Sequence, residues 1–343
     1  MNMKSMTMEE LTAYVESLGE KPFRAKQLYQ WMHKELVTDF DQMTNLSKAL
    51  RTKLKNEASL ETLQVVKVQT SKEDGTQKYL FAAQDGELIE SVKMIYKYGV
   101  SVCVSSQVGC RMGCKFCAST IGGLNRSLTA GEILEQVYRI QAESDERVNH
   151  VVVMGMGEPF DNYDNVVRFL RLLTDAQGLN LSARNITVST CGLVPEILRF
   201  AKEGLPVTLA LSLHASNQAM REELLPIAKK YSLEEVLSAC QSYYETTGRR
   251  VTFEYSLGDG VNDSEEAAAE LAELLGPMHG HLNLIPINPV DGRGYTGSRM
   301  TQIQRFKNKL EKCGINVTIR RETGRDIDGA CGQLRKRFEE RQN

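Results

Sequence analysis

The sequence predicts an α/β protein: a partial (βα)6 TIM-like barrel, preceded by a small N-terminal helical domain and a β connector. Three observations predict it. From residue 100 onward, apolar strand-like runs alternate with helical patterns at fairly even spacing, and repeated βα units give a parallel sheet that curls toward a barrel. Residues 1–60 carry helical periodicity and no good strand pattern. Between these regions lie short β-rich runs broken by Asp74-Gly75 and Asp85-Gly86, both hairpin signals.

Taken in order, Leu11, Tyr14, Val15 and Leu18 recur at helical spacing, as do Ala25, Leu28, Tyr29 and Met32. Pro22 stands at the start of the second helix, a favoured first-turn position, and residues 36–54 supply a third helix. Residues 1–60 are therefore expected to form a helical accessory domain. Residues 61–100 form the connector, with strands at 62–70, 78–82 and 88–95. The barrel is expected over 101–320. Its strands fall at 101–104, 151–154, 185–189, 207–212, 250–255, 282–285 and 317–320. Its helices fall at 130–142, 164–173, 195–202, 233–246, 264–275 and 301–312. In such a barrel function sits at the C-terminal ends of the strands. Residues 321–343 form a C-terminal segment ending in a charged tail.

With 41% hydrophobic and 25% charged residues among 343, the chain can bury a sizeable core, and neither a disordered chain nor a fibre fits. A net charge of -2 excludes the strongly basic balance of a histone-like protein, although a local basic patch is enough to hold phosphates. Residues 1–14 mix Lys4, Glu9 and Glu10 with scattered methionines and lack the apolar stretch of a secretory signal. Nowhere do about 18 apolar residues run together, as a membrane span requires. A cytoplasmic protein without membrane attachment is expected. In that reducing compartment the eight cysteines read as metal-binding, catalytic or buried thiols rather than disulfides.

Cys110, Cys114 and Cys117 form C-x3-C-x2-C directly after the first barrel strand, as Cys110-Arg-Met-Gly-Cys114-Lys-Phe-Cys117. A structural zinc site wants four protein ligands, usually as two separated pairs, and no second C-x2-C or H-x3-5-H follows. A cubane iron-sulfur cluster held by three thiolates leaves one iron with an open position. A small molecule can chelate that iron and be cleaved on receiving an electron. Three cysteines at this spacing, with the aromatic Phe116 before the last, resemble the motif of radical S-adenosylmethionine (SAM) enzymes.

Most of the chain resembles the radical SAM RNA methyltransferases of the RlmN and Cfr family. The resemblance rests on Cys103-Val-Ser-Ser-Gln-Val-Gly-Cys110, Met154-Gly-Met-Gly-Glu158-Pro159, Val188-Ser-Thr190 and Ser212-Leu-His214. It continues through Asn283-Leu-Ile-Pro-Ile-Asn288-Pro and Asp326-Ile-Asp-Gly-Ala-Cys331-Gly-Gln-Leu334. The RlmN branch, acting on carbon 2 of adenine, is nearer than the Cfr branch, acting on carbon 8, though the catalytic residues are shared. The resemblance implies a radical SAM barrel with one 4Fe-4S cluster on Cys110, Cys114 and Cys117, and two SAM molecules per turnover. The implied substrate is adenosine 2503 of 23S rRNA, in the peptidyl transferase centre, with adenosine 37 of transfer RNA as a further candidate.

Carbon 2 lies between two ring nitrogens and is too electron-poor to attack a methyl sulfonium, so a radical route is needed. By resemblance, one SAM methylates Cys331, and cleavage of a second gives the radical that takes a hydrogen atom from that methyl group. The carbon radical adds to adenine, Glu90 is the proton acceptor, and Cys103 attacks the Cys331 sulfur to free the product. A disulfide is left for reduction. A flavodoxin or ferredoxin-type electron donor and a monomeric enzyme are expected.

Each remaining site residue has a plainer reading beside the functional one. Gly155, Gly157 and Glu158 follow the strand at 151–154, where glycines let the backbone approach a ligand and a carboxylate can accept from the ammonium group of SAM. Alone, they fit a tight βα turn equally well. Ser189, Ser212, Leu213, His214 and Asn288 fall at strand ends on one rim, and in the family the matching positions bind SAM. Singly, each reads as a polar strand end satisfied by backbone. Glu90, on an alternating strand, would ordinarily face solvent. Cys331 lies between Gly329 and Gly332, whereas Cys240 and Cys313 fall on helical patterns and read as small buried hydrophobes. Cys191 is assigned no role. Residues 305–343 hold 11 Lys and Arg against 6 Asp and Glu; with Arg24, Lys26, Lys34, Lys48 and Arg51 they are candidates for RNA phosphates or simply solvated faces. An unstacked, loop-borne adenine is the natural target. Two rivals remain. A non-catalytic zinc protein that binds nucleic acid would contain zinc and no iron. A radical SAM enzyme of peptides or small molecules would not methylate RNA.

Overall fold

Side chains that satisfy the first N–H groups decide where the helices begin. In the first helix, α1 (Met8–Ser17), the Thr7 hydroxyl accepts from the Glu10 N–H at 3.2 Å and the Glu10 carboxylate accepts from the Thr7 N–H at 2.9 Å. Such a cap stabilises a helix by about 1 kcal/mol. Helix α2 (Phe23–His33) starts one residue later than the sequence predicts, with Pro22 as its N-cap. Helix α3 (Lys48–Glu57) is capped by Ser47. The computed structural model describes residues 2–290, 292–321, 323–327, 334–335 and 338.

The three helices bury Leu11, Val15, Leu28, Tyr29, Met32, Leu50 and Leu54, and this core is continuous with that of the rest of the chain. Polar contacts fix the join. Tyr29 donates to Asp175 at 2.9 Å, His33 Nδ1 meets the Tyr138 hydroxyl at 2.8 Å, and Lys4 forms a fully buried ion pair with Glu135.

Strands β1 (Gln64–Thr70), β2 (Gln77–Ala82), β3 (Leu88–Tyr96) and β4 (Gly99–Cys103) run antiparallel. Both Asp-Gly pairs fall in their connections. A short antiparallel hairpin follows, β5 (Gln107–Gly109) with β6 (Leu124–Ser127), which the sequence reading missed because β5 has only three residues.

The alternating region begins with α4 (Ala130–Ala142), β7 (Val148–Val153), α5 (Tyr163–Thr174), β8 (Ile186–Thr190), α6 (Val194–Phe200) and β9 (Thr208–Ser212). It continues with α7 (Gln218–Leu224), α8 (Leu233–Thr247), β10 (Val251–Leu257), α9 (Glu265–Leu275), β11 (Gly280–Pro286), α10 (Met300–Lys312) and β12 (Val317–Ile319). One ten-stranded sheet results, in the order β1-β2-β3-β4-β7-β8-β9-β10-β11-β12 and parallel from β4 onward. Among the described residues no pairing closes β12 on β1. The sheet is an open, partial barrel of six βα units, as the alternation predicts.

Val151, Val153, Ile186, Val188, Leu209 and Leu211 of the strands share one core with Ile133, Val137, Val166 and Leu170 of the outer helices. Burial of each such side chain stabilises the fold by about 1.5–3 kcal/mol. Cys240 is fully buried on α8, as expected, but Cys313 is exposed. Helix α10 ends at Lys312, just short of it, and the chain turns away at Gly314 with φ 82°.

Candidate active site

The loop joining β5 to β6 carries Cys110, Cys114 and Cys117, and their free thiols line one cavity of about 200 Å³ with Glu158, Ser189, Ser212 and His214. The Thr120 hydroxyl ties the loop together by donating to the Cys114 and Cys117 carbonyls, at 3.2 and 3.0 Å. Burial pushes the Cys110 thiol up to about 12 and raises Cys114 as well. A thiolate there needs a cation beside it, and three soft sulfur donors around one cavity fit an iron-sulfur cluster. Among the described residues no three His, Cys, Asp or Glu side chains gather as ligands of a single metal ion.

The turn after β7 is shaped for close approach. A Cβ on Gly155 would stand 2.7 Å from the Val104 carbonyl, and one on Gly157, at φ 101°, would stand 2.6 Å from Gln107 Cβ. Glu158 is buried, with its two oxygens accepting from the Phe160 and Cys191 N–H groups at 3.0 and 2.9 Å. Burial raises its carboxyl and those donors act against the rise. The Ser189 and Ser212 hydroxyls meet at 3.2 Å at the ends of β8 and β9.

His214 follows in left-handed backbone at φ 57°, and its Nδ1 accepts from the Ser256 N–H at 3.0 Å. Burial first, and then the charge of Arg221, hold its pKa down to about 3, so the ring is neutral with its proton on Nε2. Phe116 meets it edge-on at 5.0 Å. Leu213 does not join the cavity: its side chain is wholly buried in the core, and its N–H donates to the Glu254 carbonyl at 3.0 Å.

A second cavity, of about 460 Å³, is lined by Glu90, Cys103, Asn288, Arg321 and Arg325 among others. Phe116, Cys117, Met154, Gly155, Ile285 and Arg320 line both cavities, so the two adjoin. Glu90 is buried rather than solvent-facing. Its carboxylate pairs with buried Lys78 at 2.9 Å and accepts from the Arg335 N–H at 2.6 Å. Burial raises the Cys103 thiol, and the nearby Arg320 charge acts against the rise. Cys331 lies outside the described residues.

Sequence reasoning missed Glu254, Arg320 and Arg221. Glu254 is buried on the wall of the first cavity, and Asn283 donates to it at 2.9 Å. Its signal was available, since it is the lone charged residue in the apolar run 251–257.

Residues 1–60 match the family model of the ribosomal RNA large subunit methyltransferase N-terminal domain, and residues 104–272 match that of the radical SAM superfamily. A probable dual-specificity RNA methyltransferase RlmN of Lachnospira eligens is 58% identical over 339 residues, covering 99% of this chain and 97% of that protein. The protein of the same name in Lachnoclostridium phytofermentans is 56% identical, with 98% and 95% covered. The crystal structure of a radical SAM methyltransferase from Sphaerobacter thermophilus matches with a TM-score of 0.94 at 44% identity, over 97% of this chain and 98% of that one. An identity above half along nearly the whole length, on the same fold, shows that the chain belongs to the RlmN family of dual-specificity radical SAM RNA methyltransferases.

Proposed function

We propose that this enzyme methylates carbon 2 of adenosine 2503 in 23S rRNA, and that adenosine 37 of transfer RNA is a second substrate. The observation that carries the proposal is the adjoining pair of cavities, one walled by the cysteine triplet and the other by Glu90, Cys103 and three arginines. The two cavities meet at Cys117 and Arg320, among other shared residues, so a group held in one can reach a group held in the other.

On this reading Cys110, Cys114 and Cys117 hold one 4Fe-4S cluster, Gly157, Glu158, Ser189, Ser212, the Leu213 backbone and His214 hold SAM from the side of the first cavity, and Asn288 reaches it from the second. The cluster, when bound, supplies the electron that makes SAM a source of a carbon radical. Glu158 accepts from the ammonium of SAM, and the neutral His214 ring adds no charge to repel the sulfonium. Cys331 carries the methyl group to be transferred. Glu90 takes the ring proton on its carboxylate, in a cavity where Lys78 offsets its charge. Cys103 sulfur then bonds to Cys331 sulfur as the bond from Cys331 to the product carbon breaks; that carbon takes up a proton to complete the methyl group, and the one unpaired electron of the adduct returns by the route that supplied it. Arg321 and Arg325 meet RNA phosphates at the mouth. Two SAM molecules per turnover, a flavodoxin or ferredoxin-type electron donor, a cytoplasmic location and a monomeric state complete the reading.

The test is anaerobic incubation of cluster-loaded enzyme with SAM, reductant and either RNA, followed by nucleoside mass spectrometry against standards. 2-Methyladenosine is expected from both. 8-Methyladenosine, or unmodified RNA, would overturn the proposal.

A further inference from the structure

Arg221 on α7 is wholly buried, and one of its nitrogens, Nη2, donates to the Cys191 carbonyl at 2.7 Å. Its Nε and Nη1 are buried with no hydrogen-bond partner. Among the described residues it forms no ion pair. A guanidinium keeps its charge at any ordinary pH, and a buried charge without a counter-charge is strongly destabilising. The groups around it therefore have to account for it.

Two of those groups belong to the wall of the first cavity. The thiols of Cys191, Cys114 and Cys240 are near enough to act on the Arg221 charge. Cys191 and Cys114 both line the cavity of the cysteine triplet. The Lys115 N–H, inside the triplet, donates to the carbonyl of Leu224 at the end of α7 at 3.0 Å. Leu224, Leu225 and Cys191 pack with Met112, Cys114 and Phe116. The turn after Cys191 leaves little room beside the cation, since a Cβ on Gly192 would stand 3.1 Å from Nη2.

We propose that Arg221 is the buried counter-charge of the iron-sulfur cluster, a positioning residue that favours the reduced cluster. The inference rests on the reading that Cys110, Cys114 and Cys117 hold a 4Fe-4S cluster. Three thiolates on a dipositive cubane leave a net charge of minus one, and the electron taken from the donor makes it minus two. A fixed cation behind the ligands, in a medium of low dielectric, stabilises the more negative state. The two unpartnered nitrogens belong to a residue whose charge partner arrives with the cluster.

The test uses the full chain, reconstituted anaerobically, as wild type, Arg221→Met and Arg221→Lys. The readouts are iron content, the midpoint of the reduced-cluster electron paramagnetic resonance signal in a reductive titration, and melting of the cluster-free proteins. Arg221→Met is expected to lose about tenfold in the equilibrium constant for one-electron reduction, a midpoint lower by about 59 mV. Arg221→Lys, which keeps the charge, loses less. Cluster-free Arg221→Met is expected to melt no lower than cluster-free wild type, because the cation has no counter-charge there. An Arg221→Met protein that folds but cannot hold iron, beside an Arg221→Lys protein that can, supports the same role. An unshifted midpoint, a cluster-free Arg221→Met that melts lower or does not fold, or loss of iron from both variants would reduce Arg221 to a structural donor for the Cys191 carbonyl. Failure of the wild type itself to bind iron would instead strike the cluster reading.

Discussion

Glu158 does two jobs with one carboxylate. By accepting from Phe160 and Cys191 it ties the turn after β7 to the turn after β8, and it also walls the first cavity. Glu158→Gln keeps an acceptor oxygen and removes the charge. SAM affinity should then fall about tenfold or more, as for loss of a charged hydrogen bond of about 1.5–3 kcal/mol, with iron content unchanged. Unaltered affinity in an anaerobic titration would remove this role. Alanine at Cys110, Cys114 or Cys117 should each abolish the brown colour and the bound iron and sulfide, because three thiolates are the minimum that hold the cubane. Full iron in any one variant would contradict the assignment. These residues were legible because their spacing lies within eight consecutive positions. Glu254 was marked as the lone charge in an apolar strand run, whereas Arg320 and Arg221 carry no local signal, since what surrounds them is set by the tertiary fold.

Among the elements, the long helices were legible from caps and periodicity, while α7 was not: it has seven residues and buries an arginine where an apolar stripe would be sought. Helix α2 carries another group of this kind. His33 is fully buried against Tyr138, and burial, with the Lys4 charge, holds its pKa down to about 3 from 6.5. The unfolded chain takes up a proton near pH 6.5 that the folded chain refuses until about pH 3. Stability is therefore intact above 6.5 and is lost as the pH falls between those values. At pH 5 the loss from this one residue is about 2 kcal/mol. His33→Leu should melt lower at pH 7, having lost the Tyr138 contact, yet show a flatter decline from pH 7 to pH 5. An equally steep decline would show that His33 does not drive it. His214, held down to about 3 in the same way, accounts for part of what remains.

At the scale of the whole molecule, the alternation of strands and helices made the barrel legible, but not that the connector joins the same sheet. Strand β4 pairs antiparallel with β3 and parallel with β7, which sets Glu90 of β3 and Cys103 of β4 on the wall of one cavity. Read along its own strand, Glu90 alternates as a solvent-facing residue does. Lys78 of the neighbouring strand β2 pairs with it, and Arg335, distant in sequence, donates to it from its backbone N–H. The claim that joins the two cavities is methyl transfer through Cys331 with release by Cys103. Its most direct test is Cys103→Ala, incubated anaerobically with SAM, reductant and an rRNA fragment, then digested with nuclease and protease for peptide mass spectrometry. The account predicts an adenosine nucleotide covalently attached at Cys331, absent from the Cys103→Ala, Cys331→Ala double variant. Ordinary turnover by Cys103→Ala, with free methylated RNA and no adduct, would contradict it.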